Sequence, residues 1–415
     1  LLLRDSLGGD LPEKGERAVR FEMEFFPILP WGPLPSSDVP ESVVESELEG
    51  IKECHFTMAA FIHPKFLPLC EELGLKAIVH PTIAGIGTWG QAWKKLTDEE
   101  ISARVRALVE EAGESDAVLG YYLQDEPSIH DFPALAKAVA AVEEFAPGKI
   151  AYINLFPDYA VIGDKDISRL GTDNYTEYVE RFVREVNPHV VSYDNYAVQY
   201  SNDLTDENKA ASYYRNLLEI RRVALENNLP FWNIVSSNQI RPFTPIPSPA
   251  NLAFQAYTTL AAGGRGISWY TYYARNYGYA PIDSSGKRTE TWYFLREINQ
   301  QIRTLGPILN RLRSTGVFFS DPPPIEGLRL LPGEIIRSVQ SDSSIMVGEF
   351  RSENGEAYAM VVNLDLRKSV KMKIESQTEY QELELFSNVD GRLIPYDSEK
   401  GHWLTAGHGA LIRLH

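Results

Sequence analysis

Over residues 1–315 the chain alternates short apolar runs of strand length with longer segments whose apolar positions recur every three or four residues. The apolar runs are FEMEFFPIL from 21, CHFTMAAFI from 54, LKAIVH from 75, VLGYYLQ from 118, KIAYINLF from 149, HVVSYDNY from 189, LPFWNIVSS from 229 and RGISWYTYY from 265. The segments between them read as helices. In LTDEEISARVRALVEEAG, Thr97 and Glu100 stand at capping-box spacing, and Ile101, Val105, Leu108 and Val109 share one face. In TDNYTEYVERFVREVN the shared face is Tyr175, Val179, Phe182 and Val186, and a third helix is expected from Thr205 into the seventh strand. Eight strand–helix units in this order predict an α/β fold of the (β/α)8 TIM-barrel type. An open doubly wound sheet would show a glycine-rich phosphate turn after its first strand. Here that strand runs into FFPILPWGPLP, which is proline-rich instead.

Beyond the helix in TWYFLREINQQIRTLGPILNRL the period changes to two. DPPPIEG marks a joint, and EIIRSVQ, SIMVGEF, EAYAMVVNLDL, SVKMKIE, EYQELELF and ALIRLH follow, with turn signals such as ENGE and NVDG between them. The expectation is a barrel over 1–315 and a small all-β sandwich over 316–415.

Composition narrows the partners. The hydrophobic content of 44% and charged content of 23% are those of a globular chain, and no apolar run approaches the ~20 residues of a membrane-spanning helix. A net charge of −17 repels polyanions, so nucleic acid is excluded as a partner. The two cysteines, Cys54 and Cys70, cannot build a disulfide framework or a zinc site. The chain opens LLLRDSLGGD without a methionine, which is expected of an exported protein, periplasmic or extracellular, whose leader has been removed. Aromatic residues (21 Tyr, 18 Phe, 7 Trp) collect beside polar ones at the predicted strand ends.

A barrel carries its chemistry where the strands exit at their C-terminal ends. The exits here supply Trp31, His63, His80 with Trp89 and Trp93 beyond it, Asp125 and Glu126, Asn154 and Asp158, Asp194 and Tyr196, Ser236 to Asn238, and Trp269, Tyr270 and Tyr272. The first strand lacks paired histidines, so neither a metal nor a cofactor is expected. Ser236 and Ser237 lack a G-x-S-x-G elbow, which argues against a serine hydrolase. Carboxylates among aromatic walls suit glycosidic bond cleavage, in which one carboxyl protonates the leaving oxygen and another serves the sugar carbon or its water. Glu126 is the foremost proton donor, because burial and the adjacent Asp125 both raise its pKa. The competing reading makes Asp125-Glu126-Pro127 the start of the next helix, with Asp125 as its cap. Asp194 is the choice for second carboxylate, with Asp125 as rival; adjacent strand residues face opposite sides, so Asp125 leaves the site unless a turn intervenes. Trp31, Trp89, Trp269, Tyr196 and Tyr270 are candidate walls. Asn154, Asn238 and His80 are candidate hydroxyl partners.

GYYLQDEPS resembles the Asn-Glu-Pro motif after the fourth strand of the barrel-fold retaining glycoside hydrolases, with Asp125 in place of the asparagine. The order of segments, DEP within 124–127, NLFP at 154–157, SYDNY at 192–196, WYTYY at 269–273 and then Ile282-Asp283 and Gly286, is similar to that of bacterial proteins related to the family 42 β-galactosidases. The resemblance implies a carbohydrate substrate and carries Glu126 over as acid/base. It departs at the seventh strand, where the superfamily places its nucleophilic glutamate and this chain reads FWNIVSSNQI, without an acid. Two functions are therefore carried forward. One is a glycoside hydrolase using Glu126 and Asp194; the other is a carbohydrate-binding protein on a degenerate barrel.

Overall fold

A computed structural model describes residues 23–32, 39–80, 93–161, 168–206, 210–378, 380 and 382–415. Eight parallel strands form one sheet: β1 (Ile28–Pro30), β2 (Met58–Ile62), β3 (Lys76–Val79), β4 (Val118–Asp125), β5 (Ile150–Leu155), β6 (Val191–Asp194), β7 (Phe231–Ser236) and β8 (Gly266–Tyr270). Their spatial order is β1-β8-β7-β6-β5-β4-β3-β2, so β1 and β2 are the ends that meet. A side chain makes that join. The Thr57 N–H donates to Ile28 O at 3.3 Å, its hydroxyl accepts from Ile28 N–H at 2.8 Å, and the same hydroxyl donates to Phe26 O at 2.8 Å. The barrel is thus nearly closed.

The helices alternate with the strands: α1 (Glu41–Glu53), α2 (Leu67–Leu73), α3 (Asp98–Ala112), α4 (Phe132–Phe145), α5 (Tyr175–Val186), α6 (Ser212–Glu226), α7 (Pro249–Ala261) and α8 (Glu290–Leu309). The capping box expected at α3 is present, with the Thr97 hydroxyl accepting from Glu100 N–H and the Glu100 carboxylate from Thr97 N–H. The helix expected from Thr205 begins instead at Ser212; its approach, residues 207–209, lies outside the described residues. No helix among the described residues is long and apolar enough to cross a membrane.

Strand alternation divides the core in two. Outward residues such as Ile28, Ala59, Val79, Leu123, Ile153, Tyr193, Val235 and Trp269 pack against the helices. Inward residues Leu29, Trp31, Met58, Ala60, Phe61, Ile78, Tyr122, Tyr152, Trp232 and Ile234 fill the barrel. The large inward rings touch one another: Trp31–Phe61 at 4.7 Å between centroids, Phe61–Tyr122 at 4.2 Å and Tyr152–Trp232 at 5.6 Å. They form an aromatic floor beneath the strand exits.

The C-terminal part is antiparallel, as the change of period predicts. A six-stranded sheet runs β15-β14-β17-β12-β11-β9 and a three-stranded one runs β10-β13-β16. The strands are β9 (Leu312–Phe319), β10 (Ile336–Gln340), β11 (Ile345–Ser352), β12 (Ala357–Asn363), β13 (Val370–Ser376), β14 (Leu383–Phe386), β15 (Leu393–Pro395), β16 (His402–Leu404) and β17 (Gly409–Leu414). A separate apolar core lies between the sheets, and the opposite face of the larger sheet joins the barrel's outer core through Phe319, Met346, Phe350 and Met360. The residue 315/316 division expected from the sequence falls within β9. Helix α7 is wedged in this seam and every residue from Asn251 to Ala261 is buried. A Cβ on Gly348 of β11 would stand 1.9 Å from Ala261 O, so only glycine permits this approach.

Within the β part, one buried carboxylate ties a loop down. Glu349, 1% exposed, accepts the backbone N–H groups of Glu334 (3.0 Å), Ile335 (3.0 Å) and Ile336 (2.8 Å). Gly333 leaves room for it, since a Cβ there would lie 2.1 Å from the Glu349 Oε1. Glu349→Gln sets an amide against backbone donors and is expected to cost about 2 kcal/mol, measured as a lower urea midpoint. Gly333→Ala should show a comparable loss, and wild-type midpoints for both would refute the role given to this carboxylate.

Candidate active site

At the exit of β4, Asp125 is the last strand residue and Glu126 is left-handed, with φ 46°. The Glu126 N–H donates to Asn154 O at 2.8 Å, so the chain bends while still attached to β5. Asp125 itself is turned inward earlier, where β4 shifts register against β5 between Tyr122 and Gln124 and so pairs Asp125 with inward Asn154. The charge of Glu126, at the turn that follows, reaches Asp194. Neither begins a helix. Helix α4 starts at Phe132, and its leading turn is organised by Asp131, which accepts from Ser128 N–H and hydroxyl at 2.9 and 2.8 Å. Pro127 is fixed from behind, its carbonyl accepting the Tyr178 hydroxyl at 2.6 Å.

Asn154 is the hub. It points inward from β5, two residues after Tyr152, and its Nδ2 donates to Asp125 Oδ1 at 3.0 Å and to Asp194 Oδ1 at 2.9 Å. Its Oδ1 accepts from the Ser192 hydroxyl at 3.2 Å, and Ser192 lies 2.9 Å from the Tyr152 hydroxyl. Ser192 and Asp194 both face inward from β6, two apart. Carboxyls from β4 and β6 are thus joined through an amide on β5.

Desolvation and mutual repulsion both favour protonation here. Burial pushes Asp125 up to about 6, against the pull of Asn154 and the Arg275 guanidinium. Glu126 is pushed up to about 7, first by burial and then by the charge of Asp125, with Arg169 opposing. Asp194, 2% exposed, is raised well above the carboxylate range by burial, then by Glu126 and Asp125. Of the three, Asp125 and Glu126 are half-buried and Asp194 lies deeper.

Tyr196 and Tyr270 stand beside these acids with rings stacked 4.9 Å apart at 25°. The Tyr196 N–H is held by the Tyr159 hydroxyl at 3.1 Å, and the Tyr270 hydroxyl meets that of Tyr277 at 3.1 Å. His80 stacks on Tyr122 at 5.7 Å. Asn238 accepts from Gln199 Nε2 at 3.3 Å, while its own Nδ2 is buried without a hydrogen-bond partner among the described residues. Trp31 is 6% exposed and belongs to the aromatic floor.

One expected wall residue is misplaced. Trp269 is fully buried on the outside of the barrel, and its indole N–H donates to Asn299 Oδ1 of α8 at 2.9 Å. Ser268 and Tyr270 take the inward positions of β8, so alternation sends Trp269 toward the helices. Trp89 lies outside the described residues. The exit of β7 carries amides and hydroxyls: Gln255 of α7 accepts from Ser236 N–H at 2.8 Å and donates to Ser236 O at 3.0 Å. Among the described residues no group of three or more His, Cys, Asp or Glu side chains is arranged to hold a metal ion. Sequence reading passed over Tyr159, Gln255, Arg169 and Arg275, none of which stands in a recognisable motif.

No protein-family model matches the chain and no curated protein matches it in sequence. Solved structures do match its fold. A protein described as a glycoside hydrolase matches with a TM-score of 0.58 at 10% identity, over 94% of this chain and 92% of its own. The β-galactosidase of Rahnella sp. R3 matches with a TM-score of 0.53 at 10% identity, over 70% of this chain and 58% of its own. That of the psychrophilic Marinomonas ef1 matches with 0.51 at 10% identity, over 69% and 62%. The chain therefore spans less than two thirds of the length of either β-galactosidase. These likenesses establish a fold shared with barrel glycoside hydrolases.

The raised carboxyls make stability depend on pH in a definite direction. Between about pH 4 and pH 7 the folded protein holds more protons than the unfolded chain, so their contribution is complete below about pH 4 and is lost as pH rises through about 7. Asp125→Asn removes one such group while its amide oxygen still accepts from Asn154. We expect it to raise stability by on the order of 2 kcal/mol at pH 8 and to change little at pH 4, followed as thermal midpoints. A gain that is the same at both pH values would show that Asp125 carries no raised pKa.

Proposed function

We propose that the protein is a glycoside hydrolase in which Glu126 protonates the leaving oxygen and Asp194 is the second carboxylate. The observation that supports this most is the convergence of Asp125 and Asp194 on the Asn154 hub, within reach of the charge of Glu126, at the C-terminal end of a barrel shared with glycoside hydrolases. A donor must hold its proton at working pH, and Glu126, raised to about 7, does so in near-neutral solution. Asp194, deeper and oriented by Asn154, would oppose positive charge developing on the sugar ring in its ionised form, which protonation of Glu126 favours by removing that carboxylate's repulsion. Asp125 repels the ionised form of Glu126 and so returns it to the protonated state after each turnover. The stacked Tyr196–Tyr270 pair offers an apolar platform to a sugar face, the Asn238 Nδ2, without a partner among the described residues, offers a hydrogen bond to a hydroxyl, and His80 offers another. The finer kinship, with the proteins related to family 42, rests on the segment order alone.

The second reading, a carbohydrate-binding protein on this barrel, is favoured by one observation: the exit of β7 has no carboxylate and is occupied by the Gln255 clamp. Glu126→Gln separates the two. Under hydrolysis it should lower turnover of an unactivated oligosaccharide about 100- to 10,000-fold, with sugar binding retained. The loss should be smaller for aryl glycosides, whose leaving groups need less protonation. In the wild type, kcat/KM should fall as pH rises through about 7, because the donor is then ionised. Wild-type protein that binds glycans and turns over no member of an aryl-glycoside and oligosaccharide panel would establish the binding reading.

A further inference from the structure

Two cations whose charges reach the acids at the barrel mouth do no more in that chemistry than oppose the rise of Asp125 and Glu126. Arg275 is exposed on the loop between β8 and α8, five residues beyond Tyr270. Its backbone is left-handed, φ 46°, a conformation that a residue with a Cβ rarely adopts. The turn is tied down on all sides. Ala274 N–H donates to Ile282 O at 2.8 Å, Tyr277 N–H to Ala274 O at 2.7 Å, and Gln239 and Gly278 exchange N–H···O bonds of 2.7 and 3.2 Å. From this perch the guanidinium's field reaches Asp125, Tyr122 and Tyr270. Arg169, also exposed, precedes α5. The carbonyl of the next residue, Leu170, accepts Ile129 N–H at 2.9 Å, which docks the segment on the loop that begins at Glu126, and the charge of Arg169 reaches Glu126.

Neither guanidinium makes an ion pair or a side-chain hydrogen bond with another described residue. Four arginines away from the mouth, Arg181, Arg222, Arg288 and Arg413, are paired with Glu185, Glu219, Glu53 and Glu384. A guanidinium serving only to neutralise Asp125 or Glu126 would be seated on the carboxylate, in the bidentate geometry that arginine favours. These two are instead exposed, on a chain whose net charge of −17 would otherwise turn anions away. We propose that the site takes an acidic sugar, one bearing a carboxylate or a sulfate ester, with Arg275 gripping the anionic group beside the Tyr196–Tyr270 platform and Arg169 as a second contact. The inference rests on the site being a sugar site and specifies its substrate class.

The test is equilibrium binding by calorimetry of the whole protein with glucuronate, galacturonate, galactose 6-sulfate, galactose and glucose. At least one acidic sugar should bind about tenfold more tightly than its neutral counterpart, and Arg275→Gln should remove that preference without weakening the neutral sugars. Glutamine is no more strained than arginine at φ 46°, so the variant should fold, as an unchanged thermal midpoint would verify. Arg275→Lys, which keeps the charge and loses the fork, should fall between the two. Preference confined to the uronates assigns a carboxylate, and preference confined to galactose 6-sulfate assigns a sulfate. Neutral sugars binding as well as acidic ones, or Arg275→Gln weakening both equally, overturns the inference and leaves the hydrolase reading intact. Acid-selective binding without any Glu126-dependent turnover does the reverse. Binding of none of the five overturns both.

Discussion

The site depends on one amide. Asn154 spends both of its N–H donors on carboxylate oxygens from two other strands, and its carbonyl is occupied by Ser192. Rotating that amide by half a turn would set an oxygen against two carboxylate oxygens, so its orientation is fixed by its neighbours. Without it, Asp125 and Asp194 would face each other and Glu126 at low dielectric, where like charges a few ångströms apart repel by about 4 kcal/mol even at an effective dielectric of 20. The amide satisfies the two aspartates without cancelling their charge. What remains is a cluster that relieves its repulsion by holding protons, which is the property a proton donor needs.

The amide can do this only because β5 presents Tyr152 and Asn154 inward and β6 presents Ser192 and Asp194 inward, at matching heights in the ladder. Asn154 pairs with Ser192 on one side and with Asp125 on the other. A slip of one residue in either pairing would turn these polar groups into the helix layer. The apolar outward residues and the aromatic floor of Trp31, Phe61, Tyr122, Tyr152 and Trp232 oppose any such slip. On the far side, α7 is buried between barrel and sheet and sends Gln255 to clamp the exit of β7. The C-terminal sheets therefore hold α7, and through it one rim of the site.

Much of this was legible in the chain because it follows from local periodicity. Six of the eight barrel strands lie within a run picked out by apolar spacing, β1 and β4 pass the end of theirs by one residue, and Thr97 and Glu100 form the capping box that their spacing announces. What escaped depends on backbone turns and on long-range packing. The register shift of β4 between Tyr122 and Gln124 has no signal in those residues, so the convergence of Asp125 with Asp194 could be stated only as a condition. Trp269 and Tyr270 were both assigned to the site, although adjacent residues of a straight strand cannot share a face. The short strands β15 and β16 went unread because three residues hold too little pattern, and β9 because Leu312–Phe319 follows α8 almost without a break. Arg169 and Arg275 stand in ordinary loop sequence, and their significance arises only from what the fold places opposite them.

The missing acid on β7 changes how the chemistry would be distributed around the barrel. A retaining pair split between β4 and β7 works across the mouth, with the sugar between the two carboxyls. Here all three carboxyls lie on β4 and β6, joined through β5, so the acidic arc covers one side and leaves the exits of β7 and β8 to amides, hydroxyls and tyrosines. In the proposed hydrolase, a sugar resting on Tyr196 and Tyr270 would meet Glu126 and Asp194 from the same arc. Glu126, half-buried at the rim, and Asp194, deeper within the barrel, would then differ in depth more than in bearing. On the proposed reading the deeper carboxylate would act on the underside of the ring while the rim acid protonates the departing oxygen, with no group required from β7.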